Sequence, residues 1–211
     1  MKKLITIIMQ LFIFLSAAVF LSCHKDTSVT NQQASEYFPN KIGNYWEYTV
    51  YDSSLQKQYD VTVKIAGTKK LVDGIDANIW QYQYPDKTDT SYVRLDGDTI
   101  KMYDKARVET TQGLKFPLNT YVLPFKDGQR WDGKLLAVDS SHVTTLDLIT
   151  ISSETFKNGF NIYHYYLGPN IEYKDNYGFI PKIGMVKMYL NHYDLAPRNK
   201  QVWQLKKYIL N

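Results

Sequence analysis

The chain has 211 residues, with 25 basic and 21 acidic side chains, a formal net charge of +4 and one cysteine. So balanced a chain, with no lysine–arginine cluster, offers no nucleic-acid surface. A lone cysteine excludes an internal disulfide framework, and the four histidines show neither HxxxH nor HExxH spacing, so no metal ligand set is expected.

Met1-Lys2-Lys3 is basic, and Leu4 to Leu21 is an apolar run with small residues at Ser16-Ala17-Ala18 and Ser22 before the boundary. This is the pattern of a secretory signal peptide, expected over residues 1–22. The alternative is a retained anchor, since the run approaches the ~18–20 residues that span a bilayer. Phe20-Leu21-Ser22-Cys23 resembles the lipobox of bacterial lipoproteins, in which a small residue precedes a cysteine that is cut and acylated. It departs from the common pattern in placing leucine two, rather than three, residues before the cysteine. The resemblance implies lipidation of Cys23, with a membrane as the partner. Two or three acyl chains hold far better than one, at ~0.8 kcal/mol for each buried CH₂. In such Gram-negative lipoproteins an aspartate after the cysteine favours the inner membrane. His24 stands there instead, so the outer membrane is expected, with its leaflet open.

Loss of residues 1–22 removes Lys2 and Lys3 from the 25 basic groups, leaving 23 against 21 acids and a net charge of +2. Residues 23–36 are polar and aperiodic after the cysteine and read as a flexible tether. Residues 37–211 suit a single domain.

Within that domain the period is two. Tyr59-Asp-Val61-Thr-Val63-Lys-Ile65 alternates without a miss, Trp80, Tyr82 and Tyr84 share one strand face, and Trp203, Leu205 and Ile209 share another. Asp73-Gly74, Asp96-Gly97, Asn158-Gly159 and Ala196-Pro197-Arg-Asn199 punctuate the runs as turns. The expected fold class is all-β, mainly antiparallel, with few or no helices after the signal peptide, closed as a barrel or left as a half-barrel or curved sheet.

The domain also repeats itself. Pro39-x-Lys41-x-Gly43-x-x-Trp46 matches Pro124-x-Lys126-x-Gly128-x-x-Trp131, and Asp52-Ser53-Ser54 recurs as Asp139-Ser140-Ser141. Gly74 recurs as Gly159, Asn78 to Tyr82 as Asn161 to Tyr165, and Lys101-Met102-Tyr103 as Lys187-Met188-Tyr189. Two quasi-repeats, about 37–103 and 122–190, followed by a C-terminal strand, are expected. YFPNKIGNYWEY at 37–48 and GMVKM at 184–188 are similar to the opening and closing segments of poorly characterised Gram-negative envelope lipoproteins. That resemblance implies an envelope β protein and carries no catalytic residues.

The chemistry-bearing residues are sparse. No G-x-S-x-G elbow is present, and Asp96 with Asp98, and Asp86 with Asp89, are accounted for by turn chemistry. His164, aligned with Gln81, is expected on the polar side of its strand as a solvent-facing or hydrogen-bonded residue. No catalytic residue, metal or cofactor is expected. The excess lies in aromatics: 18 Tyr, 9 Phe and 4 Trp. Trp46, Trp80, Tyr82, Tyr84, Trp131, Tyr163 and Tyr165 are candidate ligand contacts, although tyrosine is also a good strand former and both Trp46 and Trp131 suit a core. The functional expectation is a non-enzymatic binding lipoprotein for a glycan, a lipid or a protein partner. The alternatives are an accessory subunit of an envelope complex and a hydrolase without a recognisable motif.

Overall fold

Alternation of apolar and polar side chains builds nearly every element. The computed structural model describes residues 36–132, 138–151, 153–168, 172–193 and 199–211. The expected signal peptide, Cys23 and the tether as far as residue 35 lie outside the described residues. The first six strands are β1 (Tyr45–Asp52), β2 (Lys57–Lys70), β3 (Asp76–Gln83), β4 (Thr88–Asp96), β5 (Thr99–Tyr103) and β6 (Asn119–Val122). The second six are β7 (Arg130–Asp132), β8 (Val138–Ile151), β9 (Glu154–Leu167), β10 (Glu172–Ile180), β11 (Gly184–Tyr193) and β12 (Asn199–Ile209). A four-residue helix, α1 (Lys105–Val108), capped by the Asp104 side chain, and a 3₁₀ turn at Gly113–Lys115 lie between β5 and β6.

All twelve strands join one antiparallel sheet in the order β6-β5-β4-β3-β2-β1-β12-β11-β10-β9-β8-β7. Each strand pairs with its sequence neighbour except at the centre, where β1 pairs with β12. Register shifts at Glu47/Tyr48, Ile65/Gly67 and Gly178/Phe179 mark bulges, which bend a sheet and increase its twist. The sheet curls round until its edges, β6 and β7, come within side-chain reach. Across this seam Trp131 Nε1 donates to Thr120 O at 3.0 Å, and Gln129 Nε2 donates to Val122 O at 3.1 Å. The result is a nearly closed barrel, continuous through backbone pairing at β1/β12 and bridged by side chains at β6/β7.

Inward-facing residues fill one end of the barrel. Val61, Val63 and Ile65 are buried on β2, as the alternation predicts, and so are Trp203 and Leu205 on β12. The N-terminal segment enters this end as a plug. Phe38 is 1% exposed and packs against Trp80, Tyr121 and Phe179 at 5.2, 5.6 and 6.0 Å between ring centroids. Asn40 Oδ1 accepts from Trp80 Nε1 at 2.7 Å, and the Glu36 carbonyl accepts from the Lys182 amide.

The two P-x-K-x-G-x-x-W stretches make the same turn. Gly43 and Gly128 have φ of +90° and +72°, where an L-residue is strained. Gly43 N donates to Ile65 O at 2.8 Å and Gly128 N to Val143 O at 3.0 Å. Asn44 N donates to Lys41 O, and Gln129 N to Lys126 O, at 3.1 Å in both.

Other expected correspondences fail. Gly74 is in a turn at φ +82°, but Asn158-Gly159 lies inside β9, so it ends no strand. The Asn78–Tyr82 match to Asn161–Tyr165 also breaks down. Trp80 and Tyr82 point into the barrel, whereas on β9 it is Ile162 that is buried and Tyr163 that is exposed. A one-residue offset error turns every side chain to the opposite face. The expected turn at 196–199 lies mostly outside the described residues, and Asn199 opens β12.

Candidate functional site

Above the plug the lumen keeps a cavity of about 150 Å³. Tyr48 of β1, Trp80 and Tyr82 of β3, and Tyr84 just beyond it form one wall, with Trp203 of β12 beside them. Met102 of β5 and Met188 of β11, the two methionines of the repeated Lys-Met-Tyr triplets, also line it, as do Tyr121 of β6 and Tyr177 of β10. Flexible thioethers and flat rings make a wall that adapts to an apolar guest. Among the described residues, the lining contains no carboxylate, ammonium, histidine, serine or cysteine; its only amide side chain is Asn119.

Several of the polar tips are committed. Tyr48 Oη donates to Met185 O at 2.8 Å, Tyr177 Oη to Asp175 Oδ2 at 3.1 Å, and Trp203 Nε1 to Gln201 Oε1 at 3.1 Å. Tyr121 differs: its side chain is 2% exposed and its hydroxyl is fully buried without a hydrogen-bond partner among the described residues. Its ring is held by Phe38 at 5.6 Å, Phe179 at 5.4 Å and Tyr177 at 6.0 Å. Burial raises the phenols of Tyr48, Tyr82, Tyr84, Tyr121 and Tyr177 far above the ordinary tyrosine value, so all five remain neutral.

The opposite end of the barrel is polar. Asp175 is 6% exposed and accepts from Tyr177 Oη, from the Asn191 amide at 3.0 Å, and from His192 at 3.2 Å. His164 Nε2 lies 2.7 Å from Asp139 Oδ1. His164 is thus hydrogen-bonded on the inward face with Ile162, and not on the strand's solvent side. Nearby, Asp52 accepts from Gln201 Nε2 at 2.8 Å and from Ser54 and Leu55. Burial works against its charge, but these hydrogen bonds outweigh it and hold the carboxyl below the usual aspartate range.

Of the seven candidate aromatics, only Trp80, Tyr82 and Tyr84 line the cavity. Trp46 is core: it is 2% exposed, stacks on Trp80 at 5.3 Å, and donates to Ile183 O at 2.8 Å. Trp131 sits at the seam, in the wall of an outer hollow of about 510 Å³ shared with Lys101, Lys115 and Asp132. Tyr163 and Tyr165 are on the outside of β9, against His142 and Lys174 respectively. Sequence reading missed Tyr48, Tyr121, Tyr177 and the methionines. The repeated Lys-Met-Tyr triplet was the available signal for Met102 and Met188.

No protein-family model and no curated protein matches the sequence. Among solved structures, a Bacteroides fragilis protein described as exported, with a YmcC-like fold, is 13% identical. It matches 82% of this chain and 98% of its own at a TM-score of 0.46. A Parabacteroides distasonis protein described as a lipoprotein is 14% identical over 82% of this chain and 97% of its own, at 0.43. Both likenesses are distant, and this chain's lumen has to be read from its own side chains.

Proposed function

We propose that the protein is a non-enzymatic envelope lipoprotein, anchored through acyl chains on Cys23, that holds a small apolar ligand in its barrel lumen. The carrying observation is the aromatic- and methionine-lined cavity, whose described walls suit an apolar group. The anchor rests on the lipobox-like stretch and the basic, apolar segment before it. Neutral lipids and other apolar small molecules fit such a lumen better than glycans, whose hydroxyls would find few free partners there.

Trp80 and Trp203 line the cavity, so their fluorescence should change on filling it. Titration of the mature chain with apolar ring compounds and short-chain lipids should give a saturable change. The same titration of Tyr82→Ala should be weakened at least several-fold; flat titrations throughout would refute the lumen reading. Growth with an alkyne fatty acid tests the anchor separately. Label should appear on the protein and vanish in Cys23→Ser, and label persisting in that variant would refute lipidation there.

A further inference from the structure

Resting on the lumen reading, we infer that the bound group is a neutral, benzene-sized moiety carrying a hydrogen-bond acceptor, seated on the Tyr121 hydroxyl. Size comes from the cavity. About 150 Å³ is the volume at which an engineered apolar protein cavity takes up benzene. Neutrality comes from the lining, which has no charged side chain of its own and, with the Asp175 carboxylate behind Tyr177, offers an anion nothing to offset its burial.

The acceptor comes from Tyr121. A buried hydroxyl without a partner is costly, and a phenol donates readily to a carbonyl, ether or alcohol oxygen. Packing by Phe38, Phe179 and Tyr177 fixes the ring, so its hydroxyl cannot swing away to find a partner. Two neighbouring hydroxyls are engaged elsewhere: Tyr48 with Met185 O, and Tyr177 with Asp175. A ligand oxygen that accepts from Tyr121 would satisfy this donor.

The test uses the mature protein and three matched probes: acetophenone, its near-isostere α-methylstyrene, in which CH₂ replaces the oxygen, and benzoate. Calorimetry should show both neutral probes binding and benzoate not binding. In Tyr121→Phe the affinity ratio of acetophenone to α-methylstyrene should fall about tenfold, the loss of one buried hydrogen bond. In the unaltered protein, the infrared carbonyl stretch of bound acetophenone should lie below its position in an apolar solvent. An unshifted stretch, or an unchanged ratio in a Tyr121→Phe variant that still binds α-methylstyrene, overturns the inference and leaves the lumen reading standing. Tight benzoate binding overturns the neutrality. If neither neutral probe binds the unaltered protein, the lumen reading falls and this inference with it.

Discussion

Phe38→Ala probes the plug directly. The ring is 1% exposed and touches three aromatic neighbours from β3, β6 and β10. A buried phenylalanine removes roughly 150–250 Å² from water, worth roughly 4–6 kcal/mol at ~25 cal/mol/Å². Core Phe→Ala substitutions cost about 3–5 kcal/mol, so we expect about 4 kcal/mol. In a domain of this size each kcal/mol lowers Tm by about 2–4 °C, which gives a fall of about 8–16 °C. Thermal and urea denaturation of residues 23–211, followed by circular dichroism, measures both quantities. The vacated space would also join the lumen, because Trp80 and Tyr121 belong to both walls. A loss below about 1 kcal/mol would refute the reasoning, since it would mean that the segment before β1 is not seated in the barrel.

At Gly43 and Gly128, alanine should cost about 1–2 kcal/mol each from the positive φ alone, measured by urea midpoint. Gly43→Ala should be the worse, because its Cβ would lie 2.8 Å from Asn211 Nδ2 while Gly128 opens on free space. Trp131→Phe removes the bond to Thr120 O and should speed hydrogen exchange in 119–122 while lowering global stability by only about 0.5–1.5 kcal/mol. For Asp52, whose carboxyl is held below its usual range in the fold, the stabilisation is present above about pH 4 and lost as pH falls through the folded value. Urea midpoints between pH 3 and 7 should therefore drop less steeply on acidification in Asp52→Asn. Tyr163→Ala and Tyr165→Ala, on the outer face, should leave probe binding in the lumen within twofold of the unaltered protein.

The strand pattern was readable wherever one face is buried continuously. Val61, Val63 and Ile65 announced β2, and Trp203 and Leu205 announced β12, because alternation and burial coincide there. Gly74 and Gly97 announced their turns because only a positive φ closes them. The site was less legible, for physical reasons. Tyr163 resembles Trp80 in its local sequence, but facing depends on register to a single residue, and similarity does not fix register across an inserted position. Tyr121 lies in a four-residue strand, too short for a periodicity to show, and its burial is imposed by Phe38, 83 positions away (121 minus 38). Aromatic composition pointed to a binding surface. What it could not convey is that Trp80, Tyr82 and Tyr84 point inward while Tyr163 does not.

The pairing of β1 with β12 brings Trp46 opposite Tyr208, 162 positions apart in the chain (208 minus 46). As the chain folds, β1 keeps one edge unpaired until β12 is in place beside it. Such an edge invites pairing with other chains, and closure over so long a separation is slow. Pairing of β1 with β12 is thus the step that completes the lumen, whose wall stays open at that place until the two ends of the sheet have met.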